Sequence, residues 1–139
     1  MKVVVTSHGD FCTGILNSLE MIVGKNGNVF VIKLSESGIG SFTEKLNSLL
    51  DELTKQNKVL ILCDLKGGTP YNQSFQYFLA NQDKVRVVSG LNLPMLIETS
   101  MMMGSIEDLD TLADMAVQAG QTGVDKPSAD DSDEDNLEF

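Results

Sequence analysis

Short apolar runs alternate along this chain with segments whose apolar residues lie three and four positions apart. Four runs rich in Val, Ile and Leu, at 2–5, 28–34, 58–63 and 84–88, have the composition and bounds of buried strands. The intervening segments 13–23, 43–54 and 70–80 have helical spacing, and 93–103 and 106–121 follow the fourth run. The pattern predicts four strands and five helices, with residues 35–41 as a flexible polar loop.

Four β-α units in succession predict an α/β protein with an open, doubly wound, mainly parallel sheet of four strands. Helices should cover both faces, and the crossovers should be right-handed. The carboxyl ends of parallel strands are where such sheets bind ligands. The loops at 6–10, 64–69 and 89–93 are therefore the places to look for functional residues.

Composition and charge narrow the class of protein. The 139 residues are 42% hydrophobic with no Trp, which predicts one domain with an aliphatic core that needs no zinc or disulfide framework. The net charge is −10, of which residues 124–139, with seven acids and one lysine, carry −6. We expect a domain at 1–123, a mobile acidic tail at 124–139 and no nucleic-acid partner.

The apolar runs and the cysteines indicate the compartment. The first run is too short for a signal peptide, and no run has the length that spans a bilayer. Cys12 and Cys63 lie far apart and lack the spacing of a metal or redox site, so reduced thiols are expected. Together these features predict a cytoplasmic protein without a bound metal or other cofactor.

His8, the only histidine, follows the first apolar run. If strands one and three are neighbours, Asp64 lies near enough to accept a bond from one ring nitrogen, which leaves the other as a nucleophile. Gly67, Gly68 and Thr69 precede Pro70 at a predicted helix start, where backbone N–H groups favour an anion. This constellation describes a histidine that takes up a phosphoryl group and passes it on.

Each part also has a purely structural interpretation. Asp64 can cap a turn, Gly67 and Gly68 can form an ordinary tight turn, and the segment 92–94 can be a helix entry. Their shared position at one sheet edge favours the functional interpretation.

Three motifs in order, TSHG after strand one, DLKGGTPYN after strand three and SGLNLPMLIE after strand four, resemble the IIA component of the mannose-type sugar phosphotransferase system. The resemblance covers residues 1–123 and implies that His8 is phosphorylated and that Asp64 is its hydrogen-bond partner. It places Thr69 near the phosphoryl group. We expect a phosphoryl-binding set of Gly9, Gly67, Gly68 and Thr69, and partner-facing residues Lys66, Asn92 and Pro94.

The resemblance also implies partners. The phosphocarrier HPr would donate the phosphoryl group, a IIB component would accept it, and the membrane components IIC and IID would carry the sugar. The family fold adds a short antiparallel strand exchanged in a homodimer, for which 123–126 is the candidate here. Since no IIB domain follows, the IIB partner is expected to be a separate polypeptide. Lys66 stands where a well-known family pattern has Trp.

Three alternatives remain. A response-regulator receiver would need an acidic pair after strand one, where this chain has Ser7, His8 and Gly9. A flavodoxin-like carrier would need a hydroxyl-rich phosphate loop and aromatic residues around its flavin. The phosphotransfer subunit of a dihydroxyacetone kinase system shares the histidine chemistry, but the motifs GGTPYN and GLNLPMLIE favour the sugar system.

Overall fold

The computed structural model describes residues 1–131 and has one parallel sheet with helices on both faces. The strands are β1 (Lys2–His8), β2 (Val29–Leu34), β3 (Val59–Cys63) and β4 (Val85–Ser89). The helices are α1 (Phe11–Val23), α2 (Ile39–Leu53), α3 (Thr69–Ala80), α4 (Leu93–Met102) and α5 (Leu109–Thr122), followed by a short 3-10 turn at Ala129–Asp131. The predicted fold class is confirmed.

The strand order is β2-β1-β3-β4, and all three pairings are parallel. The chain leaves β1 towards β2 on one side and later returns to place β3 on the other. The carboxyl ends of β1 and β3 therefore flank the switch point, which is where open α/β sheets form their ligand crevice.

Two apolar clusters hold the helices against the sheet. Val3 and Val5 of β1 point into a cluster with the buried sides of α1, α4 and α5. Val4, between them, points into the opposite cluster with α2 and its neighbours. This alternation is the period of two that a strand imposes. Residues 3–7 of β1 and all of β3 are buried and support the residues at the strand ends.

Strand β1 is longer than the sequence predicts. The loop expected at 6–10 is wrong for its first three residues, because Thr6, Ser7 and His8 pair with Ile32, Lys33 and Leu34 of β2. His8 is thus the last residue of a strand, and the turn into α1 is reduced to Gly9 and Asp10. A strand end fixes the histidine backbone more firmly than a loop would.

Two helix starts were also predicted wrongly. Helix α2 begins at Ile39, inside the predicted loop at 35–41, because Gly38 adopts a φ of 97° and ends the extended segment there. Helix α5 begins at Leu109 instead of 106, because the Asp108 side chain accepts the Thr111 N–H and caps the helix. Asp110 lies in the first turn of α5, and Glu107 precedes the helix.

The predicted acidic tail lies partly outside the described residues, since 132–139 are not among them. Residues 124–131 are exposed, and 124–128 have no regular secondary structure in this single chain. The domain boundary at 123 and the exchanged strand stay predictions.

Candidate functional site

Asp64, the first residue after β3, holds His8 at the end of β1. Its Oδ2 accepts hydrogen bonds from the His8 backbone N–H at 2.9 Å and from Nδ1 of the ring at 2.8 Å. Its Oδ1 accepts the Leu65 N–H at 2.9 Å. The neighbouring, parallel pairing of β1 and β3 brings the two residues together, as the sequence analysis supposed.

The bond to Asp64 determines the protonation pattern of the ring. A carboxylate only accepts hydrogen bonds, so Nδ1 carries the proton and the lone pair resides on Nε2. The His8 side chain is 47% exposed, while that of Asp64 is 15% exposed. The site therefore presents an oriented imidazole to solvent and keeps its orienting carboxylate sheltered.

Gly68 lies directly against the imidazole. A Cβ at this position would lie 2.6 Å from Cε1 and 3.2 Å from Nε2 of His8, so a side chain would displace the ring. Its neighbour Gly67 has a φ of 85°, a left-handed conformation that other residues adopt at a cost. The glycine pair thus lets the loop turn and lets the ring pack on its backbone.

Helix α3 begins at the same edge. Gly68 is its N-cap and makes no side-chain cap, Thr69 is its first residue, and Pro70 occupies its first turn. The first backbone N–H groups of a helix have no partner within it, and the helix dipole makes this end positive. The structure therefore brings His8, Asp64, Gly67, Gly68 and Thr69 to one edge, with an anion-favouring helix end beside the ring.

Gly9 continues the site on the other side of His8. Its φ is 58°, and its N–H donates to Leu34 O at 2.7 Å, which ties the turn to β2. The next residue, Asp10, forms an exposed ion pair with Lys33 at 2.7 Å.

Sequence reasoning missed Ser7 and the pairing of Asp10 with Lys33. Ser7 is fully buried, and its hydroxyl bonds to backbone groups beyond His8. The only signal in the sequence is a serine before a histidine at a strand end. The role of this serine can be inferred only when the structure shows which face of β1 it occupies.

Cys63 immediately precedes Asp64, but it is not a competing nucleophile. Burial raises the pKa of its thiol to about 12, so it stays protonated. Cys12 is also buried, and both cysteines are free thiols, as predicted.

The three residues predicted to face partners occupy different surroundings. Lys66 is exposed in the loop between Asp64 and Gly67. Asn92 caps α4 by accepting the Met95 N–H at 3.0 Å, and its Nδ2 donates to Gly120 O at 2.9 Å. Pro94 lines an apolar groove of about 830 Å³ between α4 and α5, and neither His8 nor Asp64 lines that groove.

Within residues 1–131, no group of three or more His, Cys, Asp and Glu side chains is arranged to hold a metal ion. Among the helices of this part of the chain, none has the length and apolar character needed to cross a membrane.

The fold and site define an open α/β domain that presents a carboxylate-oriented histidine beside a helix N-terminus. Residues 2–117 match the family model EIIA-man, described as the PTS system fructose IIA component. The chain belongs to this family, the mannose-type IIA components of the sugar phosphotransferase system.

Individual relatives agree with this assignment. The chain is 29% identical over 123 residues to the PTS system fructose-specific EIIA component of Bacillus subtilis, covering 88% of this chain and 84% of that protein. It is 31% identical over 125 residues to the PTS system mannose-specific EIIAB component of Escherichia coli, covering 89% of this chain but only 38% of that longer protein.

A solved structure shows the same architecture. The phosphotransferase system component EIIA of Streptococcus agalactiae superposes with a TM-score of 0.83 at 32% identity, covering 90% of this chain and 95% of that one.

Proposed function

We propose that this chain is a phosphohistidine carrier in sugar uptake, in which Nε2 of His8 accepts a phosphoryl group from phospho-HPr and passes it to a IIB component. One observation carries the proposal: Nδ1 of His8 is bonded at 2.8 Å to Asp64, which leaves Nε2 as the unprotonated nitrogen on a half-exposed ring. Membership of the IIA family supports the direction of the relay.

In the first transfer, the Nε2 lone pair attacks the phosphorus of the donor's phosphohistidine. The new N–P bond forms as the N–P bond of the donor breaks, and the donor ring, which carries a proton on its other nitrogen, takes back the N–P electron pair and leaves as a neutral imidazole. His8 keeps its Nδ1 proton, so the phosphorylated ring becomes cationic, and Asp64 stabilises that charge through the bond at 2.8 Å. Transfer to IIB repeats the exchange in the other direction, with no net proton uptake.

Of the four residues expected to bind the phosphoryl group, Gly67 and Thr69 are the candidate donors, and Gly9 and Gly68 shape the loop around it, since their N–H groups are bonded to Leu34 O and Leu65 O. Backbone N–H groups at the start of α3 are oriented before the reaction and favour negative charge, so they stabilise the transferring group without rearranging. The Thr69 hydroxyl supplies one further donor at the first residue of that helix.

Partner docking is assigned to the surface around His8. Leu65 is 60% exposed and Phe11 47% exposed, one beside Asp64 and one three residues after His8. Lys66 adds a cation to this surface, whereas the amide of Asn92 is already used within the chain. We assign Lys66 to partner contact, and keep Asn92 and Pro94 as weaker candidates on the α4 side.

A homodimer is part of the proposal. β4 is an edge strand in the observed sheet, so one of its sides is available for an antiparallel strand from a second copy. Val124, 76% exposed directly after the last helix and its cap, lies in the segment expected to supply that strand. We place the protein in the cytoplasm, consistent with two buried free thiols.

Reconstitution of the relay tests the function. The protein is labelled with the general phosphotransferase components and radioactive phosphoenolpyruvate, repurified, and mixed with candidate IIB proteins. We expect label to move to a IIB protein from wild type, none to load onto His8→Ala, and Asp64→Ala to load roughly 100-fold more slowly. Wild type that loads no label, or loading that survives in His8→Ala, would refute the proposal.

A further inference from the structure

Ser7 and His8 are adjacent in β1 but point to opposite faces of the sheet. The Ser7 hydroxyl bonds to Cys12 in α1, whereas the His8 ring packs on Gly68 at the start of α3. Ser7 is fully buried. Any influence of Ser7 on the reaction must therefore pass through the backbone that joins the two residues.

The Ser7 hydroxyl bridges the end of the strand and the start of the helix. Its Oγ accepts the buried Cys12 N–H at 2.8 Å and donates to Gly9 O at 3.1 Å. Asp10, at the N-cap position of α1, makes no side-chain cap, and its Oδ1 accepts from Lys33. Ser7 thus supplies, from within the sheet, an acceptor that the helix start otherwise lacks.

These bonds complete the restraint on the backbone around His8. Gly9 is held at both polar groups, its N–H by Leu34 O and its C=O by Ser7. The N–H of His8 itself is held by Asp64. Gly9 adopts a left-handed conformation at a φ of 58°, which glycine tolerates without strain, so these contacts rather than a side chain keep the turn in place.

We propose that Ser7 is a positioning residue for phosphoryl transfer, one that holds the Ser7–Gly9 backbone so that the His8 ring stays aligned between Asp64 and Gly68. The proposal rests on the proposed function of His8. Ser7→Ala would leave the Cys12 N–H and the Gly9 carbonyl without this partner. The turn then relaxes, and a misplaced ring reacts more slowly even when the partner is bound.

The test compares Ser7→Ala with Ser7→Thr, which keeps the hydroxyl, and with Thr54→Ala. Thr54 is a matched control, because its buried hydroxyl donates to Leu50 O at 2.7 Å at the far end of α2. For phosphorylation by phospho-HPr, we expect Ser7→Ala to lower kcat about tenfold with KM unchanged, since the docking surface is intact. Ser7→Thr should recover most of the rate, and Thr54→Ala should match wild type.

A second readout does not need phosphotransfer. With one histidine in the chain, the ring ¹⁵N and ¹H signals belong to His8. Ser7→Ala should shift them and speed exchange of the Nδ1 proton, while Thr54→Ala should not. If wild-type protein cannot be phosphorylated, the proposed function is refuted. The NMR comparison would still test whether Ser7 holds the His8 ring in position.

The proposal is overturned if Ser7→Ala keeps the kcat and ring signals of wild type, or if Thr54→Ala changes them equally. Should Ser7→Ala fail to fold, Ser7→Cys replaces it, because its sulfur is a weaker donor and acceptor. The same kcat loss and signal shift, smaller in size, are then expected, and wild-type values would contradict the proposal.

Discussion

At the residue scale, the proposed chemistry depends on the contact between Asp64 and His8. Asp64 Oδ2 accepts a hydrogen bond from Nδ1 of His8, which leaves the lone pair of the ring on Nε2. The same oxygen accepts the backbone N–H of His8, so the ring orientation is fixed relative to the strand. The reactivity of the site is therefore sensitive to sub-ångström changes around one ring.

Gly68 offers the sharpest test of that sensitivity. In Gly68→Ala the added methyl group would lie 2.6 Å from Cε1 of His8, so the ring or the loop must shift and the alignment of the ring with Asp64 is disturbed. Gly68 has a negative φ of −76°, so the substitution introduces no left-handed strain. We expect phosphorylation by phospho-HPr to slow by tenfold or more while the melting temperature changes little.

Gly14→Ala is the control for Gly68→Ala. Gly14 lies in α1, and a Cβ there meets no atom within 4 Å. It should phosphorylate at the wild-type rate and be slightly more stable, by about 0.5–1 kcal/mol, as expected for Gly→Ala within a helix. A Gly68→Ala protein with wild-type kinetics would mean that the ring does not need its observed position.

At the element scale, Asn92 joins α4 to α5. Its Oδ1 caps α4 through Met95 and its Nδ2 reaches Gly120 O in α5. Asn92→Ala removes both bonds and should lower the free energy of unfolding by about 1–3 kcal/mol. Asn92→Ser, which keeps a capping oxygen but cannot reach α5, should lose less, as measured by denaturant unfolding. An Asn92→Ala protein with unchanged stability but weaker binding of HPr or IIB would instead support partner contact.

Asp108 makes the cap of α5 dependent on pH. The hydroxyl and N–H of Thr111 both donate to its carboxylate, which lowers the pKa of Asp108 in the folded protein. A lowered folded-state pKa stabilises the fold above the ordinary Asp value, and this contribution disappears as the pH falls through the lowered value.

Thermal unfolding of wild type and Asp108→Ala between pH 7 and pH 3 tests the charge dependence of this cap. The difference in melting temperature should be constant near neutrality and shrink in acid. A difference that does not vary with pH would show that the cap does not depend on the charge of Asp108.

The strands and helices that could be predicted from the sequence are those with a clear apolar pattern. Within residues 1–131, the four strands and five α-helices were predicted because each has a buried stripe or run, whereas the 3-10 turn at Ala129–Asp131, which buries no residue, was not. The start of α2 was missed because its first residue, Ile39, is exposed and is flanked by glycines, which carry no pattern. The length of β1 was missed because Thr6 and Ser7, although buried, are polar.

Most residues of the candidate site could be predicted from the sequence, but not all of the contacts between them. His8, Asp64 and the glycine loop could be grouped from the sequence because each follows a strand and such loops share one edge. That Gly68 packs on the ring, and that Ser7 holds the turn from the opposite face, depend on which way each strand residue points. A shift of one residue in register would exchange those faces.

At the scale of the whole molecule, the strand order β2-β1-β3-β4 is what assembles the candidate site. It places β1 and β3 side by side at the switch point, so residues 56 positions apart in sequence meet at 2.8 Å. The helices of both faces bury the two strands, and the reactive ring remains accessible at their end. The body of the molecule is thus a rigid support for one exposed imidazole.

The most direct test of the central claim is the position of the phosphoryl group. Wild type and His8→Ala are incubated with the general phosphotransferase components and phosphoenolpyruvate, and the products are examined by mass spectrometry and by ¹⁵N NMR of the single histidine. We predict one added phosphoryl group in wild type only, attached at Nε2, lost in acid and retained in base. No mass gain, a gain that persists in His8→Ala, or attachment at Nδ1 would contradict the account.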